Sequence, residues 1–280
     1  MCFSTLDTSK VDSSILRVEH LTEPVASTQE EARRLLHAAP ENRIPLAVIA
    51  DEQVKGRGTN GRTWESGKGN LFLTMCIPMD TVPVLLTLLP LQIGVMVAQR
   101  VDRMLKEICH SDTTVSVKWP NDILLDDRKL AGILIESEIV GPTTWLLIGV
   151  GINVIVSPNL QGSPGKQIRA ATSILEHCKR TEILPESTAA VLGLDLSDSL
   201  VRWTMDTSLD KHDKGAKVVK DWKSYAEFGK AYELRGEVQD ENRGNHQGEV
   251  VISVDLQDDG QLLVRGEDGK ERLLVADYLF

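Results

Sequence analysis

Glycine and arginine residues at 56–64 could form a site for a ligand that carries phosphate. The segment reads GRGTNGRTW, so three glycines are interspersed with Arg57 and Arg62. Glycines let the backbone approach a ligand and present its amide groups, and guanidinium groups add the positive charge that a phosphate needs. The spacing is neither that of a Walker loop nor that of a dinucleotide-binding GxGxxG turn. Taken alone, the segment could equally be a solvated connection.

Three further segments place polar side chains beside glycines at the ends of predicted strands. In KWPND (118–122), the proline interrupts a strand and turns the Asn and Asp after it outward. In KLAGILIE (129–136), Lys129 enters an apolar strand and Gly132 leaves space beside it. In GVGINV (149–154), two glycines interrupt a buried strand ahead of an asparagine. Each segment alone also fits an Asn-Asp turn, an edge lysine or a β-bulge.

The elements that must position these segments follow from the apolar pattern. Ser27 with Glu30, or Thr28 with Glu31, fits a capping box before a helix at 29–37. A second helix is predicted at 84–109, irregular at Pro90, and a third at 186–204, followed by a charged break at 210–217. Predicted strands cover 15–19, 46–50, 71–77, 114–119, 123–125, 130–139, 144–150, 232–234, 249–255, 261–265 and 272–275.

Successive strands joined by turns, with helices elsewhere, indicate an α+β fold. We expect a domain at 12–228 and a small β-barrel domain at 229–280, where short alternating strands are separated by polar turns.

Composition limits the function classes. The 280 residues carry 31 Lys and Arg against 41 Asp and Glu, a net charge of −10 that disfavours nucleic acid. No apolar run approaches the ~20 residues of a membrane span, and the first residues resemble no leader. The four scattered cysteines predict reduced thiols. Together these features predict a cytoplasmic protein without nucleic-acid or membrane partners.

The order of the four segments resembles biotin–protein ligases, in the short form without a DNA-binding domain. GRGxxGRxW, KWPND, KxxGIL and GxGIN occur in this order, and the resemblance covers about residues 15–176 closely and the C-terminal strands loosely. It implies a mixed sheet flanked by helices, related to class II aminoacyl-tRNA synthetases, plus an SH3-like C-terminal barrel. It also implies an enzyme that converts biotin and ATP, with Mg²⁺, into biotinyl-5'-AMP. The biotin is then transferred to a lysine of the carboxyl-carrier domain of a biotin-dependent carboxylase.

The resemblance also implies roles for particular residues. Lys129 and Arg57 are the implied catalytic residues, and Asp122 is the candidate Mg²⁺ ligand. The implied biotin-binding residues are Ser27, Thr28, Gln53, Gly56, Arg57, Gly58, Trp64, Lys129 and Gly132. The implied nucleotide-binding residues are Arg57, Arg62, Trp64, Trp119, Asn121, Asp122, Lys129 and Asn153.

One position departs from the family pattern. Many members have an arginine directly after GRG, where this chain has Thr59, and that arginine is associated with retention of the adenylate. Arg62, three residues further along, is the alternative cation.

Three other functions compete with the ligase. A lipoate–protein ligase shares the fold and the adenylate strategy, but the polar Ser27, Thr28 and Gln53 favour the ureido ring of biotin over an apolar dithiolane. A biotin sensor or repressor is disfavoured by the acidic charge. A carrier-docking module without catalysis is disfavoured by the presence of Lys129 and Arg57.

Overall fold

Twelve strands and four helices make up the described part of the chain. The structure is a computed structural model that describes residues 12–158, 170–179, 184, 187–234, 239–240 and 248–276. In chain order the elements are β1 (Arg17–Leu21), α1 (Thr28–His37), β2 (Leu46–Ala50), β3 (Leu71–Pro78), α2 (Leu89–Glu107), β4 (Val115–Lys118), β5 (Asp122–Leu125), β6 (Arg128–Val140), β7 (Thr143–Ile152), α3 (Thr188–Met205), α4 (Lys211–Tyr225), β8 (Ala231–Glu233), β9 (Gln239–Asp240), β10 (Val250–Leu256), β11 (Leu262–Gly266) and β12 (Glu271–Val275).

A seven-stranded sheet runs in the order β1-β2-β3-β7-β6-β5-β4. The β1–β2 pair is parallel, which requires a crossover, and α1 supplies it. The remaining neighbours are antiparallel, so the sheet is mixed. The predicted α+β class is confirmed, with helices on both faces of a mixed sheet.

Helices cover both faces of this sheet because β2 and β3 are apolar on both sides. Ala32 and Leu36 of α1 pack on one face against a cluster that includes Cys76, and burial raises the pKa of the Cys76 thiol. The larger core cluster lies on the other face, under α2 and α3. The candidate site lies on the α1 face, where glycines take the place of the large apolar side chains of the smaller cluster.

The cap of α1 is the first of the two predicted alternatives. Ser27 has extended backbone angles, and its hydroxyl accepts a hydrogen bond from the Glu30 amide at 3.2 Å. This cap fixes where α1 begins, and so places Thr28 and Gln29, both buried, against the sheet.

Two helix predictions need correction. Pro90 lies in the first turn of α2, where its missing N–H costs nothing, so the helix starts at Leu89 and is not interrupted there. The predicted break at 210–217 is wrong, because α4 starts at Lys211 with Asp210 as its cap. None of the described helices is long and apolar enough to cross a bilayer.

The cysteine prediction is wrong for one pair. Cys109, just after α2, and Cys178, after a 3-10 turn at Leu175–His177, form a disulfide across 69 residues. Cys76 is free and buried, and Cys2 lies outside the described residues. Tertiary packing brings the two cysteines together, and the local sequence around each of them does not indicate that contact.

A five-stranded antiparallel sheet follows α4, in the order β8-β10-β11-β12-β9. Four of its strands were predicted, whereas the two-residue β9 was not. A turn of this sheet contacts the larger one: the Trp119 indole N–H donates to the Gly260 carbonyl at 3.0 Å. Lys230 forms an ion pair with Asp127 at 2.8 Å across the same boundary.

Candidate functional site

Three glycines form a floor without side chains on the α1 face of the large sheet. Gly132 of β6 is paired with Gly151 of β7, and Gly149 lies two residues earlier on β7. Side chains alternate between faces of a strand, so all three glycines are on one face. A Cβ at Gly149 would lie 2.9 Å from the Gln29 side-chain nitrogen, so the floor admits close neighbours that any larger residue would exclude.

The indole of Trp64 lies on this floor. A Cβ built on Gly151 would be 2.6 Å from Trp64 Cε2, and one on Gly132 would be 3.0 Å from Cζ3. Lys129 Nζ is 5.6 Å from the centroid of the same ring, within cation–π range. The structure therefore brings together Trp64, Lys129 and Gly132, three of the implied biotin-binding residues. The indole N–H is buried and has no hydrogen-bond partner among the described residues.

Lys129 forms an ion pair with Asp122. The two groups are 2.5 Å apart, with 24% and 20% of their side chains exposed. The segment after β7 holds the lysine backbone, since Lys129 N–H donates to Ala170 O at 2.8 Å and Thr172 N–H donates to Lys129 O at 3.0 Å. A ligand anion arriving here would find a positioned ammonium group whose present partner is a partly solvated carboxylate.

A polar cluster lies where α1 meets β3. The Gln53 Oε1 accepts from the Thr28 amide at 2.8 Å and from its hydroxyl at 3.2 Å. Thr74 of β3 donates to the Thr28 hydroxyl at 2.8 Å, and Gln53 Nε2 donates to Ser66 at 3.3 Å. Ser27 adjoins the cluster as the helix cap. Thr74 and Ser66 were not predicted, although a threonine in the otherwise apolar β3 is a visible signal.

The glycine loop folds back on itself above the floor. A Cβ on Gly56 would lie 2.4 Å from the Trp64 carbonyl, and the Trp64 amide donates to Gly56 O at 2.9 Å. Gly58 N–H donates to Arg62 O at 2.8 Å. The exposed Arg62 turns to Thr59, donating to its hydroxyl at 2.7 Å. The loop thus forms a hairpin, with a 3-10 turn at Thr59–Gly61 and a bridge between Arg57 and Thr63, and the Arg62 side chain lies beside Thr59.

Arg57 points from this loop toward β6. Its Nη2 lies 3.0 Å from Glu136 Oε2 and 3.2 Å from Gln29 Oε1. The same Glu136 oxygen is 2.5 Å from Arg33 of α1, which also binds Glu138 at 3.0 Å. No sequence motif marks Gln29, Arg33 or Glu136 as site residues, because their contact with the loop depends on tertiary packing.

Two pKa shifts accompany this network. Burial opposes the charged form of Arg33, but its hydrogen bonds with Glu136 and Glu138 outweigh burial and raise the pKa of Arg33. A hydrogen bond from His37 is the main cause that lowers the pKa of Glu138. Arg33 and Glu138 are thus both charged at neutral pH.

Three predicted nucleotide-binding residues are engaged elsewhere. Trp119 is buried and directed at the small sheet. Asn121 Nδ2 donates to Ile133 O at 2.8 Å. Asn153 is buried and donates to Thr172 O at 3.0 Å. Each of these side chains has a partner within the protein, and its part in nucleotide binding stays a prediction.

Asn70 is a buried polar residue that no sequence motif indicated. Its Oδ1 accepts three amides, of Val154, Ile155 and Val156, at 3.0 to 3.1 Å. It thereby ties the end of the glycine loop to the chain after β7.

Asp122 fits a metal ion that arrives with a nucleotide. Mg²⁺ commonly binds one or two carboxylates together with substrate phosphates and water. Among the described residues, the close group of three metal-binding side chains is instead the exposed Asp210, His212 and Asp213. A lone carboxylate that is paired with Lys129 does not make a resident metal site.

Known proteins are similar to parts of this chain. Residues 23–153 match the biotin/lipoate A/B protein ligase family. The bifunctional ligase/repressor BirA of Escherichia coli (strain K12) is 41% identical over 110 residues, which are 39% of this chain and 32% of that protein. The biotin--[acetyl-CoA-carboxylase] ligase of Paracoccus denitrificans is 34% identical over 134 residues, 48% of this chain and 53% of that protein.

A solved structure extends the similarity. The biotin protein ligase from Leishmania major in complex with biotinyl-5-AMP has a TM-score of 0.60 and 28% identity, and the match covers 93% of this chain and 99% of that one. The match to each of the two bacterial relatives spans about a third to a half of that protein's length. Residues 23–153 of this chain are thus similar to the biotin/lipoate A/B protein ligase family, and the similarity of fold to the Leishmania major protein extends over most of the chain.

Proposed function

We propose that this chain is a biotin–protein ligase, which forms biotinyl-5'-AMP and transfers the biotin to a lysine of a carrier protein. The observation that carries the proposal is the glycine floor with a neutral polar cluster on one side and an ammonium group on the other. Thr74 of the cluster is on β3, and Asp122, the partner of Lys129, is on β5, three strand spacings away. That span is about 14 Å, enough for an extended acid with a polar head.

The floor and cluster suit the two ends of biotin. Thr28, Gln53 and Ser27 offer neutral donors and acceptors for the ureido ring, and Trp64 with Gly132 borders the aliphatic tail. The carboxylate of biotin then lies near Lys129. A lipoate ring would leave the Thr28–Gln53 pair without a polar ligand partner, and this favours biotin.

The first step joins two anions. A carboxylate oxygen of biotin attacks the α-phosphorus of ATP, the bond to the β-phosphate oxygen breaks, and pyrophosphate leaves. Lys129 and Arg57 reduce the repulsion between the reactants and stabilise charge in the transition state. The carboxylate is already ionised at neutral pH, so the chain need not supply a strong base. Mg²⁺ would neutralise further phosphate charge, with Asp122 as its protein ligand.

The second step transfers the acyl group. The amine of the target lysine attacks the acyl carbon of the mixed anhydride, the C–O bond to AMP breaks, and the nitrogen loses a proton. A mixed anhydride reacts with water, and the Gly56–Trp64 segment would shield the intermediate from hydrolysis by covering it.

The partner and the architecture follow from the same family. The proposed acceptor is the carboxyl-carrier domain of a biotin-dependent carboxylase, acting in the cytoplasm. We further propose domains at 12–228 and 229–280, the first related to class II aminoacyl-tRNA synthetases and the second an SH3-like barrel. The five-stranded antiparallel sheet at the C-terminus supports the second assignment.

The test is incorporation of labelled biotin into a purified carboxyl-carrier domain with ATP and Mg²⁺. Lys129→Ala should abolish incorporation, whereas Lys106→Ala, on the exposed surface of α2, should retain it. Incorporation of lipoate in preference to biotin would favour the related lipoate ligase. Absence of any ATP-dependent incorporation would reject the proposal.

A further inference from the structure

Glu136 lies between two guanidinium groups at the edge of the site, and only one of them belongs to the glycine loop. Its Oε2 is 2.5 Å from Arg33 and 3.0 Å from Arg57. We propose that Glu136 and Gln29 are positioning residues that hold Arg57 in a resting position, from which it is released to bind the carboxylate of biotin. This inference rests on the proposed function.

Arg57 is the member of this group that can leave. Its side chain is 41% exposed, against 27% for Arg33, and Glu136 is its only ionic partner among the described residues. Arg33 keeps a second partner, Glu138, at 3.0 Å. When Arg57 leaves, the carboxylate of Glu136 still has Arg33 beside it, so no buried charge is left uncompensated.

Gln29 ties the resting position to the biotin cluster. Its carboxamide nitrogen donates to Leu134 O at 3.1 Å and Leu147 O at 3.4 Å, so its oxygen is turned toward Arg57. The side chain reaches these strands because Gly149 has no Cβ. Gln29 directly follows Thr28, so the residue that faces the ligand and the residue that holds Arg57 are neighbours in the first turn of α1.

A resting contact lowers the apparent affinity for the ligand that must displace it. If Arg57 is held by Glu136 in most molecules, only the remaining fraction can engage a carboxylate at once. A half-exposed ion pair corresponds to about a two- to five-fold change in equilibrium. Removing the charge of Glu136 should therefore tighten biotin binding by about two- to five-fold.

The experiment measures dissociation constants by titration calorimetry for biotin and for biotin methyl ester, which lacks the anion. Glu136→Gln should bind biotin more tightly than the wild type and the ester with unchanged affinity. In an Arg57→Ala background, the same substitution should have no effect on biotin. Glu138→Gln is the matched control, since it touches Arg33 but not Arg57, and should leave both affinities unchanged.

Other results overturn the inference. Unchanged or weaker biotin binding by Glu136→Gln would show that Arg57 works from its present position. Equal tightening of the ester, or tightening that persists without Arg57, would show a general change in the site. If Glu136→Gln does not fold, Glu136→Ser tests the same point. Failure of the wild type to bind either ligand would instead reject the proposed function.

Discussion

Gly151→Ala tests whether the glycine floor positions Trp64. The new Cβ would lie 2.6 Å from Trp64 Cε2 and 2.7 Å from Nε1. Carbon atoms pack at about 3.5 Å or more, so the indole must retreat by about 1 Å. Trp64 lies outside the helices and strands, so its indole can shift without displacing a strand, and we expect a loss of stability of about 1 kcal/mol, at the low end for overpacking.

Activity should suffer far more than stability. A displacement of about 1 Å in a positioning group can cost ~100-fold in rate, or roughly 2.7 kcal/mol in the activation barrier. The assay is biotin-dependent exchange between ATP and pyrophosphate, together with the unfolding temperature of each variant.

The matched control is Gly94→Ala, on α2 below the opposite face of β6. Its Cβ would lie 3.9 Å from Ile133 Cδ1, an ordinary contact, so activity should be retained and the helix slightly stabilised. An exchange rate for Gly151→Ala within three-fold of the wild type would refute the role of the floor.

Four further predictions concern single groups. Lys129→Ala should lower the exchange rate by at least ~100-fold with the fold intact, and near wild-type exchange would contradict its role. Gln53→Leu removes the acceptor for the amide and the hydroxyl of Thr28, so the free energy of unfolding, measured by chemical denaturation, should fall by about 1–3 kcal/mol. The affinity for biotin, measured by calorimetry, should fall as well. Thr59→Arg should slow dissociation of biotinyl-5'-AMP, whereas equal rates would show that Thr59 does not matter for retention. Because the pKa of Glu138 is lowered from 4.5 in the fold, its contribution to stability is present above that pH and is lost as pH falls through the lower, folded value. Unfolding temperatures from pH 3 to 7 should therefore decline less steeply for Glu138→Gln than for the wild type.

Local patterns predicted most of the frame. β2 was placed without error, and the Ser27 cap was one of two stated alternatives, because buried strands and helix starts leave their mark within a few residues. The missed helix α4 shows where such patterns stop. Its exposed face carries lysine and aspartate, and its large buried apolar side chains, Val218, Val219 and Trp222, come after the charged stretch that resembled a break.

The sequence indicated which residues belong to the candidate site but not which of their side chains contact one another. Motif order pointed to Lys129, Trp64 and Gly132, and the structure brings these together. The order of the motifs could not identify Glu136 as the partner of Arg57. The two residues are 79 positions apart in the sequence, and only the packing of the loop on β6 brings them together. The indole N–H of Trp119 donates to Gly260, a contact that the motif did not indicate, and the predicted nucleotide contact of Trp119 stays a prediction.

That last contact bears on how the chain can be divided. The turn at Asp259 and Gly260 accepts hydrogen bonds from Thr87 and Trp119, and Lys223 and Lys230 add ion pairs across the same boundary. A protein shortened ahead of β10 would expose the Trp119 ring to water at the head of the strand pair that carries Asp122. The small C-terminal sheet therefore supports the larger one. Replacing it with the corresponding sheet of a relative would alter the packing of Trp119 and, through β5, the position of Asp122.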